Sequence, residues 1–160
     1  MNLRVFFYLL LFFFFVVVKA KSQYQGFGKS AFYNVIKSGN SEEMDAQINI
    51  VKESLIPEKE AYEGTLLMKR SERLTKAKDK MIMFKSGRSK LESSISKDRD
   101  NTEYRFLRLI IQEHAPKIVK YRNDMEEDSK LIHTNFKSLS SFLQQQIIDY
   151  SKKSKVLKTP

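Results

Sequence analysis

The chain has 160 residues, with 29 Lys or Arg against 19 Asp or Glu and a net charge of +10. It holds no cysteine or tryptophan, five glycines and three prolines. The missing cysteine excludes disulfide staples, thiol nucleophiles and thiolate metal sites, and the scarce glycine and proline speak against an all-β sandwich or a collagen-like chain. The positive surplus favours polyanions, such as anionic headgroups, acidic glycans or nucleic acid.

The N-terminus is organised as an export address. Met1 to Arg4 brings a positive charge, Val5 to Val18 is an unbroken apolar run of 14 residues, and Ala20 and Ser22 are small. Charge, apolar run and small residues, in that order, are what a signal peptidase reads. As a helix the run spans about 21 Å, short of a hydrocarbon core of about 30 Å, which predicts cleavage rather than anchoring. Two cleavage points fit, after Ala20 with Val18 at −3 or after Ser22 with Ala20 at −3; the alternative is an uncleaved helix anchored in the inner membrane. Taking away residues 1–20 removes Arg4 and Lys19, leaving 27 basic against 19 acidic residues and a net of +8. The remainder suits one domain, periplasmic or secreted, with no integral span after cleavage.

Residues 21–30 (KSQYQGFGKS) read as a flexible lead-in, and residues 31–150 as a single helical domain. Ala31 to Lys37 predicts two helical turns with Phe32, Val35 and Ile36 on one side and Gly39 as the stop. Asn40 or Ser41 caps the next helix, whose stripe is Met44, Ile48, Val51 and Leu55. Pro57 ends that helix and opens another, with Leu67, Leu74, Ala77, Met81 and Phe84 inward; whether the helix from Glu58 to Phe84 is continuous or breaks near Glu72 to Thr75 is left open. Gly87 interrupts the pattern, and Leu91 and Ile95 carry a short helix to a turn at Asp98 to Asn101.

Asp100 with Glu103 makes a capping-box pair for Thr102 to His114, which is apolar almost all round and so predicted to be the core helix. Pro116 restarts the chain with Ile118, Val119 and Tyr121 apolar. Asn123 with Glu126 opens a stripe of Met125, Ile132, Phe136, Leu139, Leu143, Ile147 and Tyr150, jointed near Ser138 to Ser141, where Ser141 pairs with Gln144. Residues 151–160 form a basic tail, expected to fray. No segment alternates with period two. The reading is an all-α fold of five to seven helices after the signal helix, a compact antiparallel bundle or a set of helical hairpins.

Residues 84–101 (FKSGRSKLESSISKDRDN) resemble the second helix and exit turn of a tetratricopeptide-type unit, with Gly87 where two helices approach closely and Leu91 and Ile95 as inward knobs. The unit's opening aromatic, Gly-aromatic pair and closing proline are absent, and no second copy follows at about 34 residues, so this likeness concerns hairpin geometry and implies no repeat array. Ala61-Tyr62-Glu63-Gly64, Phe84-Lys85-Ser86-Gly87, Leu91-Glu92, Glu103-Tyr104-Arg105-Phe106-Leu107-Arg108 and Ile111-Gln112-Glu113 are together similar to a family of small exported bacterial helical proteins. That resemblance, covering Ala61 to Ser154, implies location and fold and supplies no catalytic residues.

Motifs that carry chemistry are few. Gly28-Lys29-Ser30 looks like the end of a phosphate-binding loop, but Gln23 stands where its first glycine belongs and no strand precedes it. His114 and His133 lack partners at metal-ligand spacing. The run Asp124, Glu126, Glu127, Asp128 imitates a calcium loop, with Ser129 in place of the turn glycine and Asn135 in place of the closing acid. Glu103 and Glu113 lie ten residues apart, about 15 Å along one helix, too far for a glycosidase pair at roughly 5–9.5 Å. No serine sits in a GxSxG turn. No cofactor and no metal is implied.

Charge is the stronger signal. Lys69 to Lys90 holds nine basic residues against Glu72 and Asp79. Such runs are usually solvated helix faces. The functional reading of this one is a polyanion-contacting face of Lys69, Arg70, Arg73, Lys76 and Lys80. Arg105 and Arg108, three apart on an apolar helix, are candidates for buried ion pairs with acids of a neighbouring helix. The function expected is an exported, non-enzymatic interaction or scaffold protein, its partner another envelope protein or an anionic surface or polymer, since exported proteins seldom meet nucleic acid. The alternative is a hydrolase-type enzyme whose site is assembled from scattered Glu, Arg and Tyr.

Overall fold

The apolar spacing and the capping residues divide the chain into helices, and the computed structural model describes them for residues 26–160. The segment expected to be a signal peptide and the first residues of the expected lead-in lie outside the described residues. Among those described, the fold is all-α, with seven helices and two 3-10 turns.

Helix α1 (Lys29–Ser38) begins two residues before Ala31 and buries Phe32, Tyr33, Val35 and Ile36. It ends because Gly39 adopts φ 66°, a left-handed geometry only glycine takes without strain, and returns its N–H to the Val35 carbonyl at 3.0 Å. Asn40 then caps α2 (Ser41–Glu53): its Oδ1 accepts from the Glu42 and Glu43 amides at 2.9 and 3.1 Å. Met44, Ile48 and Val51 face the core as the stripe predicts. Leu55 does not, because α2 stops at Glu53 and leaves it fully exposed.

The stretch left open resolves into two helices, α3 (Lys59–Ser71) and α4 (Ala77–Lys97), joined by a turn. The turn starts where Arg73 and Leu74 reach back three residues to the Arg70 and Ser71 carbonyls. Contrary to expectation, Gly87 does not interrupt α4. It lies against Gly64 of α3, and a Cβ at 87 would sit 2.5 Å from the Gly64 carbonyl oxygen and 2.8 Å from the Met68 nitrogen. The two glycines let the backbones touch, so α3 and α4 pack as a tight hairpin.

Helix α5 (Thr102–His114) is central, burying Tyr104, Phe106, Leu107, Leu109, Ile110 and Ile111. Its cap is Asn101, whose Oδ1 accepts the Tyr104 amide at 3.1 Å; Asp100 stands one residue too early for that bond. After the 3-10 turn Lys117–Val119, α6 (Met125–Asn135) starts behind Asp124 rather than Asn123, without a side-chain cap. A second 3-10 turn (Phe136–Ser138) forms the predicted joint. It leads into α7 (Ser141–Ser151), capped by Ser140 rather than Ser141 while Gln144 donates to the Phe136 and Leu139 carbonyls.

The tail is not frayed. Leu157 is fully buried and its N–H meets Ser154 Oγ at 2.8 Å, while Glu113 of α5 accepts from the Ser154 hydroxyl at 2.7 Å and from the Lys155 amide. Aromatic rings tie α1 and α7 to the centre: Phe27, just ahead of α1, stacks on Tyr62 at 4.9 Å, Phe32 meets Tyr62 at 4.6 Å, and Tyr150 meets Phe106 edge-on at 5.7 Å.

Candidate functional site

The last turns of α1, α3, α5 and α7 converge at one end of the molecule around a cleft of ≈ 330 Å³. Tyr33, Ile36, Phe106, Ile110 and Tyr150 make its apolar floor, and Lys37, Lys69, Arg73 and Lys153 stand around its rim with His114 and Asp149. Lys37 and Lys69 sit in the last turns of α1 and α3, where the partial negative charge of a helix C-terminus favours cations, whereas Arg73 and Lys153 lie just beyond the ends of α3 and α7. Part of the basic charge is therefore absorbed by helix ends.

Pairing separates the rest. Lys37 answers Asp149 at 3.7 Å and Lys69 answers Glu72 at 3.0 Å. Asp149, bonded by Lys152 as well, is held below the usual carboxylate range. Arg73 and Lys153 have no acidic partner among the described residues; Lys153 only overlies the Tyr150 ring at 6.0 Å. Arg73 reaches the cleft by lying against Gly39, where a Cβ would come within 2.7 Å of its Nη2. In the wall, Gln146 Oε1 is buried with no donor among the described residues.

The polar groups of the floor are spent on structure. Tyr33 and Tyr62 both donate to Glu103, at 3.1 and 2.9 Å, and Lys29 joins them at 2.8 Å. Burial, reinforced by the Glu103 charge, raises both phenols well above their ordinary pKa. Tyr150 donates to Glu113 at 2.8 Å and is raised by burial and by that bond. The Ser38 hydroxyl sits 3.0 Å from Glu43 and 3.3 Å from the Val35 carbonyl. Glu103 and Glu113 are thus each occupied by several donors at opposite ends of α5. The cleft offers recognition chemistry: two uncommitted cations over an aromatic floor.

The basic face read from sequence is divided by the structure. Lys69 and Arg73 line the cleft, whereas Arg70 turns to α2 and holds Asp45 through two bonds at 2.8 and 3.0 Å. Lys76 and Lys80 lie on the turn and the first turn of α4, outside the cleft. Lys37, Lys153 and Gln146 carry no sequence signal for a place in the cleft, Lys153 because its segment has no helical pattern and reads as a frayed tail.

Arg105 and Arg108 meet α6. Arg108 grips Asp128 with two bonds of 2.7 Å and reaches Glu92 of α4 at 3.1 Å, while Arg105 adds a bond of 3.0 Å to Asp128 and one to the Arg99 carbonyl. Burial works against the charge on Arg108, but the Asp128, Glu92 and Asp124 carboxylates outweigh it and raise its pKa. Of the acidic run resembling a calcium loop, Asp124, Glu127 and Asp128 are therefore turned towards guanidinium groups, with Asp124 also accepting from Gln112 at 2.8 Å. His114 and His133 each bond through Nδ1 to the carbonyl four residues back, at 3.0 and 2.7 Å. Among the described residues no group of three or more acids and histidines converges on a metal position.

Known family models, curated proteins and solved structures give no match to the chain, so its likeness to small exported helical proteins rests on the residue blocks quoted above.

Proposed function

We propose that the chain is an exported, non-enzymatic helical interaction protein that takes a single anionic group of its partner into the cleft between α1, α3, α5 and α7. The observation that carries this reading is the pair Arg73 and Lys153, without a carboxylate partner among the described residues, at the rim of an aromatic floor. Two cations suit one carboxylate or phosphate, and a cleft of ≈ 330 Å³ is at the small end of ligand pockets of about 300–1,000 Å³. It suits a chain terminus or a short side group, and the floor favours one carried on an apolar body. The charged, apolar, then small organisation of residues 1–22 supports action outside the cytosol.

Calorimetric titration with hexanoate, hexyl phosphate, hexanol and hexylamine tests the site. Binding of the two anions and not of the alcohol or amine is expected, falling about tenfold, or ~1.4 kcal/mol, in Arg73→Ala and again in Lys153→Ala. Equal binding of all four, or indifference to both substitutions, overturns the reading. Export is tested separately by the mass of the protein recovered from the cell envelope, which should lack the first 20 or 22 residues.

A further inference from the structure

A second surface lies on the α3–α4 hairpin, away from the cleft. Leu67 of α3, Leu74 of the turn and Asp79, Ile82, Met83 and Ser86 of α4 line an open groove of ≈ 320 Å³. The four α4 positions are spaced three, one and three apart and so share one helix face. Ile82 is 57% exposed, whereas Leu67, Leu74 and Met83 are half-buried. Ile82 has Lys78 four residues before it and Lys85 three after it, which places a lysine on either side along the same exposed strip.

Of the nine basic residues between 69 and 90, Arg73 belongs to the cleft and the other eight sort into two sets. Lys69, Arg70 and Lys90 are tied to Glu72, Asp45 and the pair Glu60 and Glu63, and Arg88 lies over the Tyr121 ring at 4.6 Å. Lys76, Lys78, Lys80 and Lys85 have no acidic partner among the described residues; of these, Lys78 and Lys85 flank Ile82 on its strip, and Asp79 is the one acid lining the groove. Solvated charge alone explains lysines, but it does not explain an exposed isoleucine in their midst. A soluble polyanion would be held by the lysines without it. An anionic bilayer uses both, since phosphates attract the lysines and the headgroup region accepts an apolar side chain. The Gly64–Gly87 contact holds the hairpin rigid, so the surface needs no ordering on contact.

We propose that this face docks on an anionic lipid surface, with Ile82 entering the headgroup region and Lys78 and Lys85 contacting lipid phosphates. Because the chain has no cysteine, a single label can be placed in the full-length protein. Ile82→Cys carrying an environment-sensitive fluorophore is mixed with vesicles of phosphatidylglycerol and phosphatidylcholine, with phosphatidylcholine alone, and with soluble polyphosphate. Leu55→Cys, fully exposed in the α2–α3 connection, is labelled as the control. The label at 82 reads this groove whatever residues 1–20 do on the vesicle.

Expected are a blue shift at position 82 on the anionic vesicles only, no shift at position 55, and at least a tenfold loss of apparent affinity at 1 M salt, where screening shortens to about 3 Å. Lys78→Glu with Lys85→Glu should abolish the shift while circular dichroism stays helical. No shift at 82, an equal shift on phosphatidylcholine, or the same shift with polyphosphate overturns the proposal.

Discussion

Without its guanidinium, Arg108 would leave the fully buried Asp128 carboxylate to Arg105 alone. A buried charge that loses its partner costs far more than the pair contributes, so Arg108→Met should lower stability by roughly 3–5 kcal/mol in urea unfolding. The double variant Arg108→Met with Asp128→Leu should recover most of that loss, because neither charge then remains to be desolvated. If the double variant is as unstable as the single, the burden lies in packing instead. The arginines were legible because guanidinium groups on an apolar helix must find acids. Asp128 was not, since locally it is one more acid at a helix start, and only the docking of α6 on α5 distinguishes it from Glu126 and Glu127.

At the scale of elements, the α3–α4 hairpin turns on two glycines. Within a lone helix Gly87→Ala should add about 1 kcal/mol of stability, since alanine loses less backbone freedom. In this hairpin the new Cβ meets backbone at 2.5 and 2.8 Å, so the helices must part. A loss of about 1–3 kcal/mol is therefore expected, read as a lowered thermal midpoint. Asn40→Ala is a milder case: it strips two amides of their acceptor and should cost about 1 kcal/mol. Caps were readable to within one residue, as Asn101 for Asp100 and Ser140 for Ser141 show, because neighbouring polar residues compete for the same amides and only the backbone geometry chooses. The continuity of α4 through Gly87 was not readable, since the same glycine that weakens a helix alone permits its closest packing with a partner.

At the scale of the whole fold, the segment after α7 is pinned to α5 through Glu113. Burial works to raise the Glu113 carboxyl, but the Lys155 amide and the Ser154 and Tyr150 hydroxyls outweigh it and hold the carboxyl below its ordinary value. A depressed carboxylate stabilises the fold fully above the unfolded pKa of about 4.3 and loses that contribution as pH falls through the native value. Acidification below about pH 4 should therefore release the Ser154–Leu157 segment first, seen as faster hydrogen exchange at the Lys155 and Leu157 amides while α5 amides stay protected. Glu113→Gln should loosen the same amides at neutral pH and remove this step. Since Lys153 stands at the cleft's rim just ahead of that segment, the same acidification should weaken anion binding there.

By itself the sequence determined the helical class, the central place of Thr102 to His114, and the concentration of positive charge between 69 and 90. Each is a property of residues within a few turns of one another, where period and composition act directly. The tertiary structure decided how those charges are paired, because that depends on acids brought from other helices: Asp45 for Arg70, Glu60 and Glu63 for Lys90, and none among the described residues for Arg73. It also decided that a tail without helical pattern is held by Leu157, and that four helix ends meet around a cleft, since long-range packing selects these partners and local sequence carries no record of the choice.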